Sequence, residues 1–275
     1  PDHQHQRVAA GATAVFTFRA GRAAHARDPW FELPTLRIER ELLADTTRYR
    51  LPGVEIDVPV VATELPPASP GAAGVLHLGR QGCLRLEDAT LALPDGPFTL
   101  ETWVQAADYK GRRGLLNKTQ SSDFGLFVSD GKPTFLVHLG LTYVSASAET
   151  ACLRSGAWHH VAGVFDGAEA RLYVDGILRG RAPARGVRTR KPLPLLAGAD
   201  PRTDGAPESY LQGRLRDVRL STTVRYADAF VPGRYPDTDA HTHLHWRCDA
   251  DTGPWVRDVS GHGRHALRVG GASCR

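Results

Sequence analysis

Ala157-Trp158-His159-His160-Val161-Ala162-Gly163-Val164-Phe165-Asp166-Gly167-Ala168-Glu169-Ala170-Arg171-Leu172-Tyr173-Val174-Asp175-Gly176 carries the clearest strand pattern in the chain. Trp158, His160, Ala162 and Val164 alternate with His159, Val161, Gly163 and Phe165, and β-branched and aromatic residues occupy both sets of positions. That is the pattern of a strand covered on both faces. Asp166-Gly167 is a hairpin signal, because an Asp-Gly pair supplies the positive φ that a two-residue turn needs. Residues 171–174 return as a second strand, and Asp175-Gly176 turns again into Ile177-Leu178.

Outward from this hairpin, short strand patterns recur on both sides. Residues 76–79 and 83–86 form two such patterns, and residues 98–104 (Phe-Thr-Leu-Glu-Thr-Trp-Val) and 115–118 (Leu-Leu-Asn-Lys) two more. Residues 124–128 and 134–139 flank Ser129-Asp130-Gly131 as a hairpin, followed downstream by Pro194-Leu195-Leu196-Ala197-Gly198 and Leu211-Gln212-Gly213-Arg214-Leu215-Arg216-Asp217-Val218-Arg219-Leu220. Their order and spacing resemble the LamG-like (laminin G or pentraxin type) concanavalin A-like jelly rolls, whose signature runs F-T-x-E-x-W-V, I-L-S-K, W-H-H-V-A, L-Y-V-D-G and F-x-G-x-I-D-E-V-R-I. The resemblance implies an all-β antiparallel two-sheet jelly-roll sandwich, and a module that binds rather than catalyses.

Residues 1–66 do not carry this pattern. A turn and strand are expected over 8–18, a strand from Trp30 to Ile38 interrupted by Pro34, a short helix or extended strand over 39–47, and a strand over 54–61. Residues 65–74 (Leu-Pro-Pro-Ala-Ser-Pro-Gly-Ala-Ala-Gly) read as a linker, since proline and glycine cannot continue a ladder. The expected organisation is a small β-rich unit over 1–66, the jelly roll over 67–235, and a segment over 236–275 that packs back on the sandwich and adds strands at an edge. Within that last segment, Trp246-Arg247-Cys248-Asp249 and Asp258-Val259-Ser260-Gly261-His262-Gly263 resemble a W-x-F-D-E … D-S-S-G-N-G element that precedes the core in most LamG-like chains. Here it follows the core. This order resembles the N-terminal region of N,N-dimethylformamidase-type large subunits, which implies a catalytic domain beyond residue 275 or on another chain.

Composition excludes several classes. The 275 residues hold 34 Lys and Arg against 30 Asp and Glu, a net charge of +4, which is too mild for a nucleic-acid binder without a matching motif. Arginine dominates the basic residues, which with the Ala, Gly and Pro content fits a GC-rich, bacterial coding sequence. No apolar run reaches the ~20 residues of a membrane span. With no Met anywhere, residue 1 is expected to follow processing or excision rather than translation initiation. Cys83, Cys152, Cys248 and Cys274 lack C-x-x-C spacing, so they leave three disulfide pairings or free buried thiols open, and the compartment with them.

Several residues carry site chemistry, each with a structural alternative. Arg179, Arg181, Arg185, Arg188 and Arg190 cluster after the Tyr173 strand and suit a sulfated or uronic glycan, because guanidinium matches planar anions in pairs of bonds; a solvated loop is the alternative. Asp217 and Asp258 suit Ca²⁺, a hard cation that takes oxygen ligands and that LamG-like folds often carry at one rim; the alternative is an aspartate capping a turn. His241, His243 and His245 alternate and share a strand face, a weak zinc or nickel pattern against a solvated strand. The resemblance implies that Trp158, His159 and His160 brace the sandwich. A jelly-roll glucanase pairs carboxylates along one strand, and Glu101 has no Asp at 103. The expected function is a non-catalytic module for a glycan or protein partner, as a monomer or homo-oligomer. The alternative is the supporting part of an amidohydrolase.

Overall fold

The computed structural model describes residues 35–44, 47–57, 74–233, 236–248 and 254–274. The strand expected over 8–18, the beginning of the one at Trp30, and nearly all of the 65–74 linker lie outside them. Thr35–Ala44 (β1) and Thr47–Asp57 (β2) form a two-stranded antiparallel sheet that pairs Thr35 with Asp57 and Ala44 with Thr47. Residues 39–44 are therefore strand, not helix.

From Gly74 onward the described chain is almost wholly β, and every pairing is antiparallel. Leu76–Leu78 (β3) and Cys83–Leu86 (β4) precede a single helical turn, Asp88–Leu91 (α1). Phe98–Ala106 (β5), Arg112–Lys118 (β6), Phe124–Ser129 (β7), Lys132–Leu139 (β8) and Thr142–Ser147 (β9) follow. The opening hairpin is His159–Phe165 (β10) and Glu169–Val174 (β11), continued by Ile177–Pro183 (β12). Leu195–Ala197 (β13), the short pair Asp200–Pro201 (β14) and Pro207–Glu208 (β15), and Gly213–Ser221 (β16) come next. Thr242–Arg247 (β17), Trp255–Asp258 (β18), Ala266–Val269 (β19) and Ala272–Cys274 (β20) come last.

Two layers result. The front sheet runs β12-β11-β10-β5-β16-β17, and the back sheet β19-β4-β13-β6-β7-β8-β9. Strand β18 pairs with β17 on one side and β19 on the other, so it turns the corner between the layers. β3 lies on β16 and is itself covered by β20. Rather than lying along an edge, β17 and β18 sit inside this path. The reason is that residues 242–246 are buried on both faces, so the strand is a central one.

The core between the layers is built from alternate residues of each strand. Phe98 meets Phe124 and Phe165 at ring centroid distances of 5.2 and 5.5 Å. Phe135 from the back sheet packs so closely on Gly163 that a Cβ there would stand 2.3 Å from the ring. This explains glycine at the centre of the strand that organises the sequence. The hairpin turns follow the Asp-Gly expectation at two sites. Asp130-Gly131 and Asp175-Gly176 both take left-handed φ values (50° and 76°, 51° and 78°), the requirement of a type I′ turn. The third differs. Asp166 pairs with Glu169, so Gly167 and Ala168 are the corner, and the Asp166 carboxylate caps it by accepting the Ala168 and Glu169 N–H groups at 2.8 and 2.7 Å.

Candidate functional site

On β10 the side chains of Val161 and Phe165 enter the core, leaving His160, Ala162 and Val164 on the outer face of the front sheet. Register then decides which residues join them. Trp103 on β5 lies between His160 and Arg216, and Gln105 lies opposite Arg214. The outer face thus gathers residues from three sequence regions, β5, β10 and β16.

Its centre is covered. Residues 222–233 cross it as a strap, with Val224, Tyr226 and Phe230 packed on Ala162, Val164 and Tyr173. Tyr226 and Phe230 stack face to face at 3.5 Å, and the Phe230 N–H donates to Gly176 O at 3.0 Å. Beneath the strap sits Glu101, only 2% exposed. Its carboxylate accepts Arg219 Nε at 2.6 Å and the Tyr226 hydroxyl at 2.6 Å, and bonds His160 Nε2 at 3.0 Å. Burial alone would raise its pKa, but the His160 bond and the Arg219 charge outweigh that and bring it down to about 2. Burial, joined by the same carboxylate, pushes the Tyr226 phenol up. Glu101 is therefore a locked anion that ties β5, β10, β16 and the strap together. Trp103 and Gln105 occupy the positions along this strand face where a glucanase-type second carboxylate would stand.

Beyond the strap the outer face is open. Arg216 lies over the Trp103 ring at 4.9 Å and over the Trp158 ring at 4.7 Å, so one guanidinium joins two half-buried indoles into a platform. Trp103 Nε1 donates to Gly233 O at 3.2 Å, which fixes its ring plane. Gln105 sits beside it, donating to Gly156 O at 2.7 Å and accepting from Arg214 Nη1 at 3.3 Å. Flat apolar rings next to fixed polar groups offer stacking and hydrogen bonding at one surface.

The five arginines expected as a cluster do not converge. Arg179 and Arg181 project from edge strand β12, with Arg181 bridged to Glu169 at 3.2 Å, and Arg185 is exposed in the following loop. Arg190 is exposed and pairs with Asp95 at 2.6 Å. Arg188 points inward. It meets Asp123 at 2.8 Å, donates to Leu93 O and Pro94 O at 3.1 and 2.8 Å, and overlies Phe98 and Phe124. Lys118 approaches Asp123 at 2.6 Å and Asp88 at 2.9 Å in the same buried network, so Arg188 anchors the back sheet's loops.

The two aspartates are also placed apart in role. Asp258 accepts the His245, Ser260 and Arg264 N–H groups and the Ser260 hydroxyl at 2.7 to 3.0 Å, which fills its oxygens with protein donors. It caps the turn after β18 and does not fit a calcium ligand. Asp217 sits in a bulge of β16 at φ 50°, with His245 Nε2 at 3.4 Å and Arg247 Nε at 3.6 Å. Among the described residues no group of three His, Cys, Asp or Glu side chains gathers as a metal set. His243 bonds Leu91 O at 2.7 Å and is buried, which lowers its pKa, while His241 is exposed, so the three alternating histidines have three different surroundings. His159 bonds Asp175 at 2.7 Å and accepts the Arg154 N–H at 2.8 Å, a brace for the β11–β12 turn.

The Trp103–Arg216–Trp158 platform was not visible in sequence. Arg216 is remote from Trp103 along the chain, and only the β5–β16 register brings them together. The strongest available signal was the shared x-W-x and R-x-R alternation on two strands of one sheet.

Comparison with known proteins places the fold. Residues 78–229 match the sequence profile of the concanavalin A-like lectin/glucanases superfamily in its laminin G-type form. The chain is similar in structure to a candidate carbohydrate-binding protein of Bacteroides ovatus, at 14% identity and a TM-score of 0.58, over 75% of this chain and 60% of that one. It also resembles a pentraxin of Limulus polyphemus, at 15% identity and a TM-score of 0.46 over 74% and 94% of the two chains. For mouse laminin α1 domains LG4-5 the values are 18% and 0.41, over 70% and 51%. No curated protein sequence matches significantly. The profile spans more than half of the chain, which therefore belongs to the concanavalin A-like lectin/glucanases superfamily as a LamG-like jelly roll.

Proposed function

We propose that this chain is a non-catalytic binding module that takes a glycan on the open part of the front sheet's outer face. The observation that carries the reading is the guanidinium of Arg216 held between Trp103 and Trp158. A pyranose ring has a flat C–H face that packs on an indole's negative π-face, and its hydroxyls need fixed donors and acceptors at the rim. Gln105 and Arg214 supply those. Glu101 offers no competing chemistry, because it is ionised, buried and saturated by three partners. The kinship with carbohydrate-binding and laminin-type modules supports a glycan or a protein as the partner class, and the platform favours the glycan.

The test is oligosaccharide binding by titration calorimetry with the intact chain. Trp158→Ala and Arg216→Ala are expected each to weaken binding about tenfold or more while leaving the unfolding midpoint nearly unchanged, since both side chains are half-exposed. Undiminished binding by both variants would sink the assignment of the site.

A further inference from the structure

At the rim where β16 begins, three turns enclose a depression of about 700 Å³. Arg80 and Gln81 come from the β3–β4 turn, Ser209, Tyr210 and Gln212 from the segment before β16, and Gly270 and Gly271 from the β19–β20 turn, with Arg113 from β6 closing one side. The lining carries two guanidinium groups and no carboxylate. Arg113 is oriented by its contact to Tyr210 O at 3.4 Å, while Arg80 is exposed. Two non-glycine residues of the lining, Gln81 and Ser209, are held at left-handed φ values of 58° and 49°. Such backbone persists only where the surroundings over-determine it, which holds these two turns in place. Tyr210 packs its ring on Cys83 and Leu196 and presents one flat, half-buried surface to the depression.

We propose that this rim depression is a second subsite, which binds the charged group of an acidic sugar, a carboxylate or a sulfate carried on a pyranose ring. Guanidinium forks match such groups with paired, charge-assisted bonds, and no acid in the lining opposes the anion. The proposal rests on the outer-face glycan reading, because β16 leads from one site to the other. Gln212 lines the depression, and Arg214, two residues on, stands beside Gln105 at the open end of the outer face. Two strand residues span about 7 Å, on the order of one sugar unit. A chain lying along Trp158 and Arg214 would therefore deliver its next unit into the depression.

The experiment is a backbone-amide NMR titration of the intact chain with glucuronate, glucose 6-sulfate, glucose, sodium sulfate and sodium acetate. Expected are shifts at Ser209, Tyr210, Gly270 and Gly271 with at least one acidic sugar, and affinity about tenfold weaker for glucose and for the free anions. Arg80→Ala, a surface change that leaves folding intact, is expected to lower the acidic-sugar affinity about tenfold, with Arg80→Lys recovering part of it. Equal binding of glucose, equal binding of the bare anions, wild-type affinity in Arg80→Ala, or no shift at these amides would each overturn the proposal. Failure of the outer-face reading is seen separately. It would appear as neutral-oligosaccharide binding that survives Trp158→Ala, whereas failure at the rim leaves that sensitivity in place.

Discussion

Glu101 shows how much a single side chain decides in this fold. It is one carboxylate among 30 acidic residues, yet three elements and the strap meet on its two oxygens. Glu101→Gln keeps the shape but leaves the Arg219 guanidinium buried without its counter-charge. Removing one partner of a buried pair costs about 3–5 kcal/mol, so a loss of that order is expected in urea unfolding at neutral pH. The pH dependence follows from the same geometry. The folded pKa of about 2 lies below the ordinary 4.5, so the stabilisation is fully present above the ordinary value and is lost as pH falls towards 2. The wild-type chain should therefore lose stability steeply through that window, and the Glu101→Gln variant should show a flatter acid limb. Parallel acid limbs for the two proteins would contradict the assignment. Sequence pointed to Glu101 only through what is missing at position 103. Its partners at positions 160, 219 and 226 become neighbours through sheet register, which local periodicity does not report.

At the scale of elements, the strap and the β11–β12 turn act together. Gly176 takes φ 78°, and a Cβ there would meet Phe230 O, the carbonyl of the residue whose N–H the Gly176 oxygen accepts. Gly176→Ala thus strains the turn and pushes the strap off the sheet. Expected are faster amide exchange at residues 224–231, altered near-ultraviolet circular dichroism from Tyr226, Phe230 and Trp103, and about 1–3 kcal/mol of destabilisation. Gly163→Ala acts instead on the inner face of β10. It drives a methyl into Phe135 and separates the layers, so its loss of about 1–3 kcal/mol should come without exchange changes confined to the strap. A Gly163→Ala protein as stable as wild type would show that the layers are less closely packed than the structure has them. The turns themselves were readable, since Asp-Gly needs only its own two residues. The exception at Asp166 arose because its side chain, by capping two N–H groups, moved the corner one residue along.

For the whole molecule the disulfide between Cys248 and Cys274 is the covalent tie, with Cys83 and Cys152 free. It joins the end of β17 to β20, across a separation of 26 residues, and so holds the strand that covers β3. A loop of that length is worth about 3 kcal/mol in the chain-entropy picture, within a range of roughly 0–5. Reduction is expected to lower the midpoint of thermal unfolding by about 5–10 °C. Alkylation without reductant should modify two cysteines after denaturation and four once reductant is added. In the native protein Cys83 should resist, because it is buried and its thiol is pushed up to about 12. Four modified cysteines without reductant would rule the disulfide out.

The class of fold and most strand positions from 76 to 221 were legible in the chain alone, because alternation and two-residue turns are written in neighbouring residues. So was its LamG-like membership, since several short motifs stand in order. Which face each side chain serves came from the packing of strands distant in sequence. Strands buried on both faces show no polar side to betray their orientation and loops follow no alternation, so Arg188 turned inward, Asp258 became a cap, and Arg216 came to rest between Trp103 of β5 and Trp158 just before β10. The corner strand β18 belongs to the same lesson: pairing with both layers at once depends on where the sheets end in space, a long-range property that no local pattern carries.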